Sequence, residues 1–152
     1  MLLSLDFLAL QPSLQIRAGE EGAKQVFDPV RRKWVALAPE ELVRQLTLLY
    51  LIQVKGYAPR RIRVEIGIKV NGMMRRCDIV VFDREVRPWL LVECKSPKIP
   101  LQQSAMEQAA RYNLTLGVPF LCVTNGLHTA CCALDHANGS FQFLEDFPEA
   151  TV

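Results

Sequence analysis

The most regular pattern of apolar and polar residues in this chain lies between residues 61 and 95. Apolar and polar side chains alternate over 62–70, which is typical of a half-buried strand. Asn71-Gly72 then predicts a tight hairpin turn, and a returning strand is expected over 73–83. Residues 89–95 are nearly all apolar, as in a central strand. The pattern therefore predicts three consecutive strands at the centre of a sheet.

Two helices are predicted on either side of these strands. Pro39 suits the first turn of a helix, and the two glutamates that follow it stand where negative charge is favoured. Apolar residues continue at helical spacing until Gly56. A second helix is predicted from about 101 to 116, and it ends at Gly117.

Further strands are predicted before the first helix and after the second. Short strand-like pieces within 13–36, separated by turn residues, predict an N-terminal β-hairpin. Two strands are expected over 120–124 and 127–134, and a short one near Phe141. The predicted fold class is therefore α/β, with a mixed central β-sheet flanked by α-helices and an N-terminal β-hairpin.

Length and composition predict one domain. Half of the 152 residues are hydrophobic, which is enough to bury a core without disulfides. We expect the domain to span 1–152, with an N-terminal extension over 1–36 and a core over 37–145. No apolar run reaches the ~20 residues of a membrane span, and the leucine-rich start carries Asp6 and no basic segment. The prediction is a cytoplasmic protein without membrane contact.

The five cysteines are an odd number, and most lie inside apolar strand-like runs. This is typical of buried, reduced thiols in a reducing compartment. Cys131 and Cys132, with His128 and His136 nearby, offer a zinc site as an alternative. Because no C-x2-C pair is present, packing in the core is the favoured interpretation.

The formal net charge of +2 is too small to establish a nucleic-acid partner. Its distribution says more, because basic residues cluster at 31–33, 60–63 and 75–76, where a phosphate backbone could use them. Ordinary solvated arginines at strand and loop ends would explain the same clusters equally well.

Charged residues interrupt two of the predicted strands. Asp78 and Glu93 lie equally far from the turn predicted after residue 83, so counting places them opposite each other on antiparallel strands, with Cβ atoms about 5 Å apart. Lys95 shares their face because side chains alternate along a strand. The same counting around the preceding hairpin turn sets Glu65 opposite Asp78. Three carboxylates and a lysine are therefore expected in one patch.

Such a patch favours a bound cation, since like charges repel and an isolated buried carboxylate is costly. Mg2+, or Mn2+ in its place, takes oxygen ligands and leaves positions for a phosphate oxygen and a water. We expect Asp78, Glu93 and the backbone carbonyl of Cys94 to hold it. Lys95 would help to deprotonate the attacking water or neutralise charge on the phosphate. Ordinary strand-end charges are the alternative, but both strands are otherwise strongly apolar.

Polar residues on the predicted second helix support this site. Gln108 and Tyr112 are four residues apart and share a helix face, with Arg111 beside them. A glutamine amide can bond a carboxylate ligand or a phosphate, and Tyr112 and Arg111 can contact nucleic acid. Arg76 is a further predicted nucleic-acid contact. On its own, Tyr112 would more often simply pack against the sheet.

The motifs and their order resemble a known family. Asp78, Glu93-Cys94-Lys95, Gln108 and Tyr112, on strand, strand and helix, are similar to the PD-(D/E)xK nuclease core with the Q-x3-Y element of RecB-type members. Over roughly 25–145 the chain also resembles the N-terminal nuclease domain of type I restriction enzyme R subunits, especially the short Bacteroidetes-type version. That likeness is carried by Pro39-Glu40-Glu41-Leu42-Val43-Arg44-Gln45, Arg76-Cys77-Asp78-Ile79-Val80, Val92-Glu93-Cys94-Lys95 and Val123-Thr124-Asn125-Gly126.

The resemblance implies a restriction-endonuclease-like fold and a DNA endonuclease that depends on Mg2+ or Mn2+. It implies catalytic roles for the aspartate, glutamate and lysine already named, with Gln108 as a supporting residue. It also implies an accessory acid on the first helix, which corresponds to Glu41. Glu65 competes with Glu41 for that role.

The chain departs from the family pattern in two respects. Cys77 stands before the aspartate where the motif has proline. The chain also has no G-x4-GK-[ST] phosphate loop, so it cannot by itself be an ATP-driven motor. We expect a stand-alone nuclease-like domain or one that needs other restriction-system subunits, and a homodimer would suit a cut on both DNA strands. The alternative is a non-catalytic nucleic-acid-binding or complex-assembly module that retains the nuclease fold.

Overall fold

A computed structural model describes residues 2–70 and 72–150 of the chain. It contains two α-helices and nine strands in those ranges, joined by short turns. In chain order these are β1 (Ile16–Ala18), β2 (Lys24–Asp28), β3 (Lys33–Ala36), α1 (Pro39–Leu49), β4 (Ile62–Val70), β5 (Met73–Phe82), β6 (Pro88–Cys94), α2 (Gln103–Asn113), β7 (Phe120–Thr124), β8 (Thr129–Asp135) and β9 (Ser140–Leu144).

The strands form two sheets. The larger sheet has six strands in the order β4-β5-β6-β7-β8-β9, and all neighbours are antiparallel except β6 and β7. These two are parallel because α2 lies between them in the chain and carries it across the sheet. The mixed central sheet with flanking helices confirms the predicted fold class.

The N-terminal sheet contains one strand more than the predicted hairpin. β2 and β3 form that hairpin, and β1 pairs with the free edge of β2. The segment before α1 also packs onto the rest of the chain, because Phe7 is buried in the core and Leu3 bridges to Thr129. Asn71, in the other predicted hairpin turn, lies outside the described residues, and Val70 pairs with Met73 on either side of it.

Both helices differ slightly from their predicted bounds. α1 begins at Pro39 as predicted, but its regular part ends at Leu49, and one wider π-helical turn follows over Tyr50–Val54. α2 begins at Gln103, and a 3-10 turn continues it towards Gly117. That glycine has a φ of 75°, the left-handed conformation that ends helices.

Each face of the larger sheet carries its own core. The apolar residues of α1 pack on one face, and Met106 and Ala110 of α2 pack on the other. All five cysteines are free thiols buried in these cores, as predicted from their apolar surroundings. Both ring nitrogens of His136 face carbonyl oxygens, of Leu114 at 2.5 Å and Val118 at 2.8 Å, which favours packing over zinc binding. Among the described residues, no helix has the length and hydropathy to cross a bilayer.

The alternation of side chains changes face in the middle of β4. Ile62 and Val64 lie in the core of the α1 face, whereas Ile66 and Ile68 pack in the core of the α2 face. The residue between these pairs, Glu65, has a φ of 52°. The pairing with β5 keeps the same register before and after it. The strictly alternating sequence predicted one apolar face for the whole strand, but this single left-handed residue transfers the second half to the other side.

Because the backbone at Glu65 is left-handed, we expect glycine to be more stable than alanine at this position, the reverse of the usual order in a strand. This conformation costs residues with a Cβ about 1–2 kcal/mol, and glycine is free of that cost. We expect Glu65→Gly to unfold in urea with a free energy about 1 kcal/mol higher than Glu65→Ala. At Lys69, on the same strand, the ordinary order is expected, with Ala the more stable. If alanine were also more stable at 65, the backbone there would be ordinary extended strand.

Candidate functional site

The register of β5 and β6 brings two acidic residues together. Ile79 pairs with Val92 and Val80 with Leu91, so the same register places Asp78 opposite Glu93. Asp78 Oδ2 accepts a hydrogen bond of 2.9 Å from the backbone N–H of Cys94. Asp78 is therefore tied to the segment that carries Glu93 and Lys95, in the register predicted from the hairpin.

Asp78 belongs to an ionic network built around a buried arginine of α1. Arg44 Nη2 donates to Asp78 Oδ1 at 2.9 Å, and Arg44 Nη1 donates to Glu41 Oε1 at 2.9 Å. Glu41 and Arg44 are three residues apart, so they share one face of the helix. Glu65 Oε1 lies 3.6 Å from the same guanidinium. Only 7% of the Arg44 side chain is exposed, which makes these pairs largely shielded from water.

The N-terminal sheet extends this network. Asp28, at the end of β2, is fully buried and accepts hydrogen bonds from Arg31 Nε at 2.7 Å and Gln45 Nε2 at 2.9 Å. Arg31 also donates to Glu41 at 2.9 Å and to Glu65 at 3.0 Å. Four carboxylates thus share two guanidinium groups, and the network carries an excess of negative charge.

Burial and hydrogen bonding act in opposite directions on these charges. Burial disfavours the ionised form of Asp28, but hydrogen bonds from Arg31 and Gln45 outweigh it and lower the pKa of Asp28. Burial likewise disfavours the charge on Arg44, but its bond to Asp78 and the neighbouring carboxylates raise the pKa of Arg44. Both groups are therefore charged at neutral pH. Arg44 Nε and Gln45 Oε1 are buried without a hydrogen-bond partner among the described residues.

Glu93 is held by a different set of residues, on the α2 side of the sheet. Arg75 Nη2 donates to Glu93 Oε1, and Arg75 Nη1 donates to Asn113 Oδ1 of α2 at 2.7 Å. The guanidinium also lies 5.3 Å from the centre of the Tyr112 ring, a cation–π distance. Tyr112 is 57% exposed, so it does not pack under the sheet but stands beside Arg75.

The other predicted site residues lie around this pair. Lys95 is half-buried, and its backbone N–H donates to Thr124 O at 2.8 Å. Its Nζ makes no hydrogen bond or ion pair with any described residue. Gln108 and Arg76 are exposed. Arg111 is exposed as well and lies 5.8 Å from the centre of the Phe141 ring, away from Arg75.

The acidic residues do not form the single patch expected from the sequence. Within 2–70 and 72–150, no three His, Cys, Asp or Glu side chains are grouped as metal ligands. Glu41 and Glu65 both join Asp78 through Arg44, whereas Glu93 turns to Arg75 on the opposite side. The change of face in β4 has a counterpart in β5, where Cys77 packs in the core of the α2 face and Ile79 in the core of the α1 face. Strict alternation, which would have placed all the acids on one face, is therefore broken at Asp78.

The network around these acids was not predicted from the sequence. Arg31 and Arg75 were noted only as possible phosphate contacts, and the other members were not singled out: Asp28, Arg44, Gln45 and Asn113. Arg44 and Gln45 carried a signal, since both are polar and stand within the apolar run of α1. Arg44 bonds to Asp78, 34 positions away, and Gln45 bonds to Asp28, 17 positions away. No local pattern in the sequence encodes such distant pairs.

Comparison with known proteins places the chain in a family. It matches the model for the type I restriction enzyme R protein N terminus over residues 39–148, and it belongs to that family. It is similar in structure to a fragment assigned to the HsdR subunit of a type I restriction enzyme from Vibrio vulnificus, with 24% sequence identity and a TM-score of 0.50. The match covers 74% of this chain and 24% of that chain, so this chain spans about a quarter of that one's length. No curated protein matches the chain.

The buried position of Asp28 predicts a pH-dependent stability. Removing its charge leaves Arg31 buried without its nearest partner, and breaking a buried ion pair costs about 3–5 kcal/mol. We expect Asp28→Asn to lose about that much unfolding free energy at pH 7, measured with urea. Because the folded pKa of Asp28 is lowered, its contribution is present above the unfolded value of about 3.9 and is lost as the pH falls through the folded value.

The difference between wild type and Asp28→Asn should therefore shrink below about pH 4. Asp6→Asn, which changes an exposed aspartate, serves as the control and should leave the unfolding free energy nearly unchanged. A difference between wild type and Asp28→Asn that stays constant from pH 7 to acid would contradict the ionised state of Asp28.

Proposed function

We propose that this chain is a divalent-metal-dependent DNA phosphodiesterase, as the nuclease domain of a type I restriction system. The observation that carries the proposal is the 2.9 Å hydrogen bond from the Cys94 amide to Asp78. It joins the aspartate of one strand to the Glu-Cys-Lys segment of the next, which is the order of residues in the PD-(D/E)xK pattern. Membership of the R protein family supports the same activity.

The donors suit a hard cation by their chemistry, although Glu93 would have to turn away from Arg75 to hold one together with Asp78. Carboxylate oxygens of Asp78 and Glu93, with the backbone carbonyl of Cys94, are the oxygen ligands that Mg2+ or Mn2+ prefers. The excess of carboxylates over guanidinium groups beside Asp78 further favours a bound cation. When bound, such an ion polarises a phosphoryl oxygen and makes water more acidic. Glu41 and Glu65 are the candidates for an accessory ligand.

The protein's own cations have separate roles in this proposal. Lys95 assists the attacking water or neutralises charge on the phosphate, and its Nζ is available because it pairs with no described acid. Arg75 neutralises Glu93 and would release this carboxylate if Glu93 held a cation, while its contacts with Asn113 and Tyr112 would keep the guanidinium nearby. Gln108, Arg111, Tyr112 and Arg76 complete the proposal as residues that position the site or contact DNA.

The family suggests the setting in which this activity operates. The similar solved chain is about four times longer than the part matched here, so its whole activity need not reside in this domain. We propose that DNA and other subunits of a restriction system are the partners, and that a homodimer is one arrangement that would cut both strands.

One observation favours a second candidate, a non-cleaving DNA-binding or assembly module. Arg44 and Arg75 already neutralise Asp78 and Glu93, and the two pairs lie on opposite sides of the sheet. A domain that had abandoned catalysis could keep such pairs as structural ion pairs. This module would bind DNA without producing a metal-dependent product.

The role of Lys95 is tested by its removal. We expect Lys95→Ala to lower the rate of plasmid nicking in Mg2+ by about 10²–10⁴-fold, the range for loss of a proton-transfer group. Its urea midpoint should stay nearly unchanged, because Nζ makes no hydrogen bond or ion pair with the described residues. Lys98→Ala, which removes an exposed lysine three residues further on, should nick at the wild-type rate. Full activity of Lys95→Ala would exclude this mechanism.

The metal ligands are tested by calorimetric titration of Mn2+ without DNA. Losing Asp78 removes a direct ligand, so Asp78→Ala should weaken binding by more than the about 10–100-fold typical of outer-shell partners. Asp135→Ala, which removes an exposed aspartate at the end of β8, should bind as wild type. Equal affinities for wild type and Asp78→Ala would remove Asp78 from the ligand set. Absence of Mn2+ binding by wild type would favour the non-cleaving module.

A further inference from the structure

Two adjoining grooves along the start of β4 are lined by arginines. Their volumes are about 670 Å³ and 420 Å³, and they share Arg60 and Arg63, so they form one continuous depression that we call the arginine groove. Asp83 is the one acidic residue that lines either part. The arginines of the groove are Arg31, Arg32, Arg60, Arg61, Arg63 and Arg84.

The fold brings these arginines together from three separate segments. Arg31 and Arg32 come from the turn between β2 and β3, and Arg84 comes from the turn between β5 and β6. The remaining three lie where a short 3-10 turn enters β4, the edge strand of the larger sheet. Arg63 Nη1 donates to Arg60 O and Ile62 O, both at 3.0 Å, which fixes its guanidinium along the edge.

Arg31 is paired with acids of the ionic network, but the described lining of the groove contributes only one acid, Asp83, beside the other arginines. Asp83 already accepts hydrogen bonds from the backbone N–H groups of Glu85 and Arg87 and pairs with the Arg87 side chain at 3.3 Å. Arg32, Arg60 and Arg84 are exposed. Arginines scattered as ordinary solvated residues would have acids among them, whereas here one sign dominates. Guanidinium groups match the geometry of phosphate oxygens, so the groove suits a phosphodiester backbone.

The groove also adjoins the candidate site. Arg31 lines its smaller part and donates at 3.0 Å to Glu65, the residue opposite Asp78. We propose that the arginine groove holds the phosphate backbone of the DNA on which the site acts. This inference rests on the proposed function for its substrate, but it concerns a surface outside the predicted metal and catalytic residues, one that joins the basic clusters around 31–33 and 60–63. Arg60 is its central residue, since it lines both parts of the groove.

The test is DNA binding measured without cleavage. Fluorescence anisotropy of a mixed-sequence duplex oligonucleotide, in EDTA and at several salt concentrations, gives the slope of log K against log salt. Each lost phosphate contact reduces that slope by about 0.9 in B-DNA. The double variant Arg60→Gln/Arg84→Gln should therefore show a slope shallower by about 1.8. Circular dichroism and urea unfolding would verify that this variant folds.

The matched control is Arg17→Gln/Lys24→Gln, which removes the same charge from strands β1 and β2 of the N-terminal sheet, outside the arginine groove. This control should keep the wild-type slope. The proposal would be overturned if the groove variant kept the wild-type slope, or if the groove variant and the control lost slope equally. It would also be overturned if the wild-type chain did not bind the duplex. The proposal would also be overturned if the chain bound an acidic protein tightly but did not bind DNA.

Binding and nicking separate this proposal from the proposed function. If the groove variant has a shallower slope but the wild-type chain does not nick DNA in Mg2+, the proposal for the arginine groove is supported and the proposed nuclease activity is excluded. If wild type and the groove variant nick DNA at the same rate and show the same slope, the proposed nuclease activity is supported and the proposal for the arginine groove is overturned.

Discussion

Two buried guanidinium groups hold this molecule together at its site. Arg31 and Arg44 bind four carboxylates that come from β2, α1, β4 and β5, so a single ionic network connects both sheets and the first helix. Charges with so little exposure must be paired, because an unpaired buried charge is costly. The positions of these elements therefore depend on one another, and Asp78 takes its orientation from α1 rather than from its own strand alone.

Glu93 is neutralised on the opposite side of the sheet by residues outside this network. Glu93 depends on Arg75, which Asn113 holds from α2, so each acid of the pair is positioned by a different helix and a different core. The left-handed residue Glu65 makes this division possible, since the hairpin of β4 and β5 changes face beside it. Asp78 and Glu93 are neighbours in register, but each is neutralised by its own arginine. One of these ion pairs can therefore change without disturbing the other.

Most of the sheet could be predicted because alternation and turn signals are local. Counting from hairpin turns placed Asp78 between Glu65 and Glu93, and the register of the described strands agrees. The orientation of these side chains could not be obtained in this way. It depends on one positive φ and on the partners Arg44 and Arg75, which only the folded chain brings near. Patterns of spacing therefore predicted the register of these acids, whereas the electrostatics around them required the structure.

The arginines along β4 have a consequence for the sheet itself. β4 is an edge strand, and its outer side presents backbone groups that could pair with a strand of another molecule. The cluster of positive charges at the start of that edge disfavours pairing with a second copy, because two such edges would bring cations close together. The same residues that give the edge an affinity for anions thus also guard the protein against edge-to-edge aggregation.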